Sequence, residues 1–275
     1  MVAEVRPADG YAEVNGLRLH YLEWGERGLP DMLLLHGLTS HAHSWDYFAR
    51  AVCDRYHVVA LDQRGHGDST WPPDGRYRTE DYVADALAVT DTLGLERVVL
   101  VGLSMGAHNA MAFTAAHPER VTHLVPVDIA PRLGTGDERR RRLAGAAPPQ
   151  RVFDSVEEAF RQARAQNPRP PEEVHRHRVQ WSLKPLPDGR FELKYDPAAP
   201  ARWEPADLWE ALPRIACPTL VIRGAESQVL PEETARRMVE AFPNARLVTV
   251  EGAGHPVPLD RPDAFERAVR EFLGA

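Results

Sequence analysis

The sequence predicts an α/β protein: a mostly parallel central sheet with helices on both faces and a lid inserted over one rim. Three observations predict it. Apolar, β-branched runs alternate with helical stretches, and strands joined by crossover helices must pair in parallel. One strand meets one helix at Gly102-Leu103-Ser104-Met105-Gly106, a Gly-x-Ser-x-Gly bend. The alternation stops after Pro131 and resumes near residue 206, which divides the chain into a core, residues 1–132 and 206–275, and an inserted cap, residues 133–205.

The elements follow in chain order. Residues 11–14 and 17–24 flank Asn15-Gly16, which favours a type I′ turn, so the chain opens with a β-hairpin. Residues 32–35 form the next strand and end in His36-Gly37-Leu38-Thr39, and residues 44–53 read as helix. Residues 57–61 are a buried strand leading into a glycine-bearing loop, 62–69. Residues 79–93 have helical spacing, with Thr79 as cap and Gly94 as stop. The strand at 98–101 runs through the serine bend into a helix at 107–116, and the strand at 121–127 ends at Asp128. Inside the insertion, helices fall near 153–164 and 174–183. Strands at 219–223 and 246–250 then alternate with helices at 231–242 and 262–273.

Composition narrows the function classes. With 275 residues, 43% hydrophobic and 27% charged, the chain is long enough for one large domain plus an insertion. A net charge of −7, from 33 basic and 40 acidic residues, argues against nucleic acid or an anionic membrane as partner. No window reaches membrane-spanning length and the N-terminus lacks an apolar core, so a cytoplasmic enzyme acting on a small molecule, monomer or homodimer, is expected. Cys53 and Cys217 are expected as buried free thiols. The run Asp137-Glu138-Arg139-Arg140-Arg141-Arg142 reads as a solvated helix face rather than an anion site.

The serine bend carries the chemistry. A sharp strand-to-helix turn strains its central residue and crowds the positions two away on either side, where this chain has glycine. A serine hydroxyl is a weak nucleophile and needs a base, which in turn needs an orienting group. Of twelve histidines, His255 alone combines a strand-end position with glycine flanks, in Gly252-Ala253-Gly254-His255. His36 reads as structural, His41 and His43 either line the pocket or are solvated, and His108 has no assigned role. The acid has two possible positions: the loop 224–231, which offers Glu226, or Asp128 at the end of the strand after the serine helix. The backbone N–H groups of Leu38 and Met105 are the expected oxyanion donors.

Together His36-Gly37, the 62–69 loop, the Gly102–Gly106 bend and Gly254-His255-Pro256 resemble the α/β-hydrolase superfamily across essentially the whole chain. The order Ser, Asp, His also fits. Members usually carry Asp three residues after the glycine of Arg223-Gly224, and here that position is Ser227. Some similar branches, among them certain esterases and lactone hydrolases, take the acid from the strand after the serine bend, which Asp128 matches. Ser227 is then implied as an auxiliary group hydrogen-bonded to Asp128 or His255. The resemblance sets aside dehalogenases and epoxide hydrolases, whose nucleophile is a carboxylate where this chain has Ser104.

The resulting expectation is a serine hydrolase of carboxylic esters or lactones, with catalytic Ser104, His255 and Asp128 and no metal or organic cofactor. Alternatives are a C–C bond hydrolase or an acyltransferase or perhydrolase on the same residues, or a ligand sensor on a hydrolase scaffold. Trp181, Leu183 and Trp203 are candidate substrate contacts from the insertion, suited to an uncharged or aromatic group.

Overall fold

Residues 6–134 and 150–274 are described by a computed structural model. The strands are β1 (Ala8–Val14), β2 (Leu17–Trp24), β3 (Asp31–Leu35), β4 (His57–Leu61), β5 (Val98–Leu103), β6 (Val121–Val127), β7 (Val152–Phe153), β8 (Leu183–Pro185), β9 (Phe191–Leu193), β10 (Thr219–Gly224) and β11 (Ala245–Val250). Eight of them make one sheet in the order β1-β2-β4-β3-β5-β6-β10-β11. The first hairpin pairs antiparallel within itself and with β4, and every other pairing is parallel. Asn15 (φ 51°) and Gly16 (φ 74°) both take the left-handed backbone that the two-residue turn requires.

Apart from Asp31 and His57 at their starts, the central strands β3, β4 and β5 are apolar because helices cover both faces. Alternate side chains of β3 divide between two cores. Leu33 and Leu35 point to the face packed by α2 (Thr79–Leu93), α3 (Met105–Ala116) and α7 (Glu232–Ala241). Met32 and Leu34 point to the face packed by α1 (Asp46–Val52) and α8 (Pro262–Leu273), through Phe48 and Phe265.

Between β6 and β10, α4 (Val156–Gln166), α5 (Glu172–Trp181) and the short α6 (Ala199–Arg202) stand beside a separate three-stranded antiparallel sheet, β7-β9-β8. This part has its own core of Phe153, Ala159, Phe160, Val179 and Leu183. The small sheet is absent from the sequence reading because strands of two or three residues carry no periodicity. The 137–142 charge run lies outside the described residues.

Two local expectations change. Thr79 is the first residue of α2 rather than its cap: Arg78 caps it, and Arg78 N–H donates to Asp81 Oδ2 at 3.1 Å. The Thr79 hydroxyl instead accepts from Ala206 N–H at 2.9 Å, tying the return of the chain from the insertion to α2. Both cysteines are free, and each is half-buried rather than buried. Among the described residues no helix is long and apolar enough to cross a membrane.

Candidate active site

β3, β5, β6 and β11 run parallel to their neighbours, so their carboxyl ends share one rim of the sheet. Ser104 follows β5 with φ 54° and ψ −118°, a left-handed backbone that a serine adopts only under constraint. The constraint is local: Ser104 N–H donates to Val127 O on β6 at 2.9 Å, and its own carbonyl accepts the N–H of His108 in α3 at 2.9 Å. The flanking glycines are required by contact rather than by dihedral angle. A methyl at Gly106 would overlap the carbonyl of Leu35, and one at Gly102 would overlap the backbone of Gly106. Gly106→Ala is therefore expected to cost about 2 kcal/mol or more, read as a lowered urea midpoint with unchanged slope.

Ser104 and His255 both line a cavity of about 380 Å³, together with Gly37 and Leu38. The His255 ring is oriented by Asp128, which follows β6 with φ 53° and is fully buried. His255 Nδ1 lies 2.7 Å from Asp128 Oδ2, and since a carboxylate only accepts, Nδ1 carries the proton and Nε2 is left as the basic nitrogen. Asp128 accepts two further bonds, from Gly224 N–H at 3.0 Å and from the Ser227 hydroxyl at 2.5 Å. The Ser227 oxygen in turn accepts Val229 N–H at 3.1 Å, which fixes the loop after β10. The Ser104 hydroxyl makes no hydrogen bond among the described residues, so Ser104 and His255 share the cavity wall without a hydrogen bond between them. Hydrogen bonds of this kind are often long before substrate binds.

The N–H groups of Leu38 and Met105 have no protein acceptor among the described residues. Met105 is the first residue of α3, so its N–H is one of the helix-end donors, at the positive end of the helix dipole. Gly37, just before Leu38, lies against Ser104: a Cβ built on it would come 3.4 Å from the serine Cβ.

Other expected site residues fall elsewhere. Glu226 is exposed, and its carboxylate is held by Arg169, with Nη2 at 2.6 Å and Nε at 2.9 Å. Trp181, Leu183 and Trp203 do not line the cavity. Trp181 stacks on His43 with ring centroids 3.6 Å apart, Leu183 sits in the core of the insertion, and Trp203 is fully buried, edge-on to His108. Leu183 packs the segment's own core, and the two tryptophans pack the segment onto the main sheet and its helices. The cavity receives polar residues from α4, α5 and the turn between them, including Gln166, His175 and Arg178.

The other histidines weighed from the sequence lie outside the cavity lining. His36 donates from Nδ1 to Gly37 O at 2.8 Å and accepts Gln63 N–H on Nε2 at 3.0 Å, and burial keeps its pKa below the ordinary value. His41 and His43 are buried, so neither is solvated and neither reaches the cavity. His108 donates to Ala206 O at 2.9 Å, and burial lowers its pKa to about 4. Asp62, unassigned from sequence, organises the loop beneath the site. It accepts Ala42 N–H at 2.6 Å, Asp68 N–H at 2.9 Å and the His20 ring at 2.7 Å. Burial alone would raise its pKa; the His20 hydrogen bond and charge overcome that and hold it well below the carboxylate range. Its signal was an aspartate at a strand end opening a glycine-bearing loop. Among the described residues, His43, Asp46 and His177 and also His20, Asp62 and Asp68 have metal-ligating spacing, and neither group borders the serine.

Comparison with known proteins agrees with this fold. A family profile described as alpha/beta hydrolase fold matches residues 30–262. The chain is 28% identical over 250 residues to a 2-(acetamidomethylene)succinate hydrolase of Mesorhizobium japonicum, covering 90% of this chain and 88% of that one. It is 31% identical over 274 residues to a 3-hydroxybutyrate-oligomer hydrolase of Cupriavidus necator, covering 94% of each. A crystal structure of E-2-(acetamidomethylene)succinate hydrolase superposes with a TM-score of 0.89 at 26% identity, over 98% of this chain and 100% of that one.

Proposed function

The chain belongs to the α/β-hydrolase fold family, and from that premise we propose that it hydrolyses carboxylic esters or lactones through an acyl-enzyme. His255 Nε2 takes the hydroxyl proton as Ser104 Oγ bonds to the substrate carbonyl carbon. The carbonyl oxygen becomes an oxyanion held by the N–H groups of Leu38 and Met105. His255 then returns its proton to the departing alkoxide, leaving an ester on Ser104. Water, deprotonated by the same imidazole, attacks that ester and releases the acid and the free serine. Asp128 holds the ring in the productive tautomer throughout, and its own position is held by Gly224 and Ser227.

The observation that supports this reading most is the short contact from the buried Asp128 to His255 on the wall of the cavity that holds Ser104. A relative named as a hydrolase of 3-hydroxybutyrate oligomers supports ester cleavage as the reaction type. The test is a panel of p-nitrophenyl esters and lactones of graded acyl length. Sustained release of product over many equivalents per protein is expected; release that stops at or below one equivalent on every compound would favour a ligand sensor built on the same scaffold.

A further inference from the structure

Among the described residues, Arg178 is a cation without an anion. It projects from α5 into the wall of the Ser104 cavity, and its side chain makes no hydrogen bond or ion pair among the described residues. Its Nε is buried with no acceptor, so the surface that remains accessible belongs to the rest of the side chain, which borders the cavity. The other arginine on that wall, Arg169, is neutralised by Glu226. Among the described residues, no aspartate or glutamate lines the cavity, or the smaller one of about 130 Å³ that Arg178 also borders.

The neighbouring titratable groups do not change this balance. His175 faces the same cavity, and burial, followed by the Arg178 and Arg164 charges, lowers its pKa to about 4, so it is neutral near pH 7. His41, whose ring donates to the Arg178 carbonyl at 3.1 Å, is held well below its ordinary value, first by burial. A guanidinium stays protonated under these conditions, and taking it from water without a counter-charge is unfavourable. Proteins keep such a group where a ligand supplies the missing charge.

We propose that Arg178 is a carboxylate-binding residue, and that the substrate is an ester or lactone carrying a free carboxylate away from the scissile carbonyl. This inference rests on the hydrolytic reading above and deepens it. A single unpaired guanidinium matches one carboxylate, whereas a phosphate dianion would leave a charge uncompensated. Leu38, Leu103, Leu133, Val229 and Leu259 on the same wall suit the hydrocarbon between the two groups. The charge requirement replaces the uncharged, aromatic-contact substrate expected from Trp181, Leu183 and Trp203.

Two matched ester pairs test it: p-nitrophenyl hemiadipate against p-nitrophenyl hexanoate, with the charge on the acyl side, and 4-acetoxybenzoate against phenyl acetate, with the charge on the alcohol side. In at least one pair the wild-type protein should prefer the carboxylate ester in kcat/KM by about 30-fold or more, and Arg178→Gln should collapse that ratio. A wild-type ratio near one in both pairs overturns the proposal while leaving ester hydrolysis intact, and this arm needs no variant to fold. If no ester turns over, hydrolysis fails separately. The carboxylate claim is then read by calorimetric titration of wild type and Arg178→Gln with 4-hydroxybenzoate and phenol, where equal affinities in the two proteins would sink it.

Discussion

Ester turnover by the Ser104→Ala protein is expected to fall by about four orders of magnitude or more, with circular dichroism and thermal midpoint close to wild type. The large effect follows from the nucleophile's role proposed for Ser104. Without Oγ no acyl-enzyme forms, and water must attack the carbonyl directly, aided only by the oxyanion donors. The fold should be indifferent, because the strained backbone at position 104 is imposed by Val127, His108 and the two flanking glycines rather than by the hydroxyl. Turnover at the wild-type rate in this variant would mean that the cavity's serine is a bystander.

The second large effect belongs to Asp128. Asp128→Asn should lower kcat by roughly 10³ to 10⁴, as loss of the orienting acid does in triad enzymes. An amide at this position presents N–H₂ as well as C=O among three donors: Gly224 N–H, Ser227 Oγ and His255 Nδ1. With its C=O kept toward Gly224 N–H, its N–H₂ takes the place of Oδ2 and donates toward Ser227 Oγ and the imidazole, which turns Nε2 into the protonated nitrogen, the wrong one for a base. Ser227→Ala removes one donor without touching the tautomer, so its loss should stay within about tenfold. Glu226→Gln should leave the Asp128 contact in place, since Glu226 pairs with Arg169. A mild Asp128→Asn beside a crippled Glu226→Gln would reverse the assignment of the acid.

How much of this was legible follows from what sets each feature. Backbone-driven elements could be read in the sequence: Asn15-Gly16 at the first turn, the apolar runs of β3, β4 and β5, and the glycines that crowd the serine bend. The meeting of Asp128 with His255 was reached through chain order and strand position, because both residues end strands that share a rim. The insertion was hardest. Its aromatic residues looked like a binding surface, yet Trp181 is spent on His43 and Trp203 on the main core, because a segment this rich in proline and charge needs them to pack. Arg178 sits two residues beyond Arg176 on α5 and looks the same in sequence. Only three dimensions separate them: Arg176 is paired with Glu157 and Glu172, and Arg178 is left facing the cavity. The partnerships that bury or expose a charge are set by tertiary contacts distant in the chain, which local pattern does not encode.

The most direct test of the central claim is to inactivate the protein with a fluorophosphonate ester and map the adduct by peptide mass spectrometry. One phosphonyl group on Ser104, with loss of ester turnover in proportion to labelling, is the expected result. Full inactivation with the label on another residue, or stoichiometric labelling of Ser104 with turnover undiminished, would contradict it.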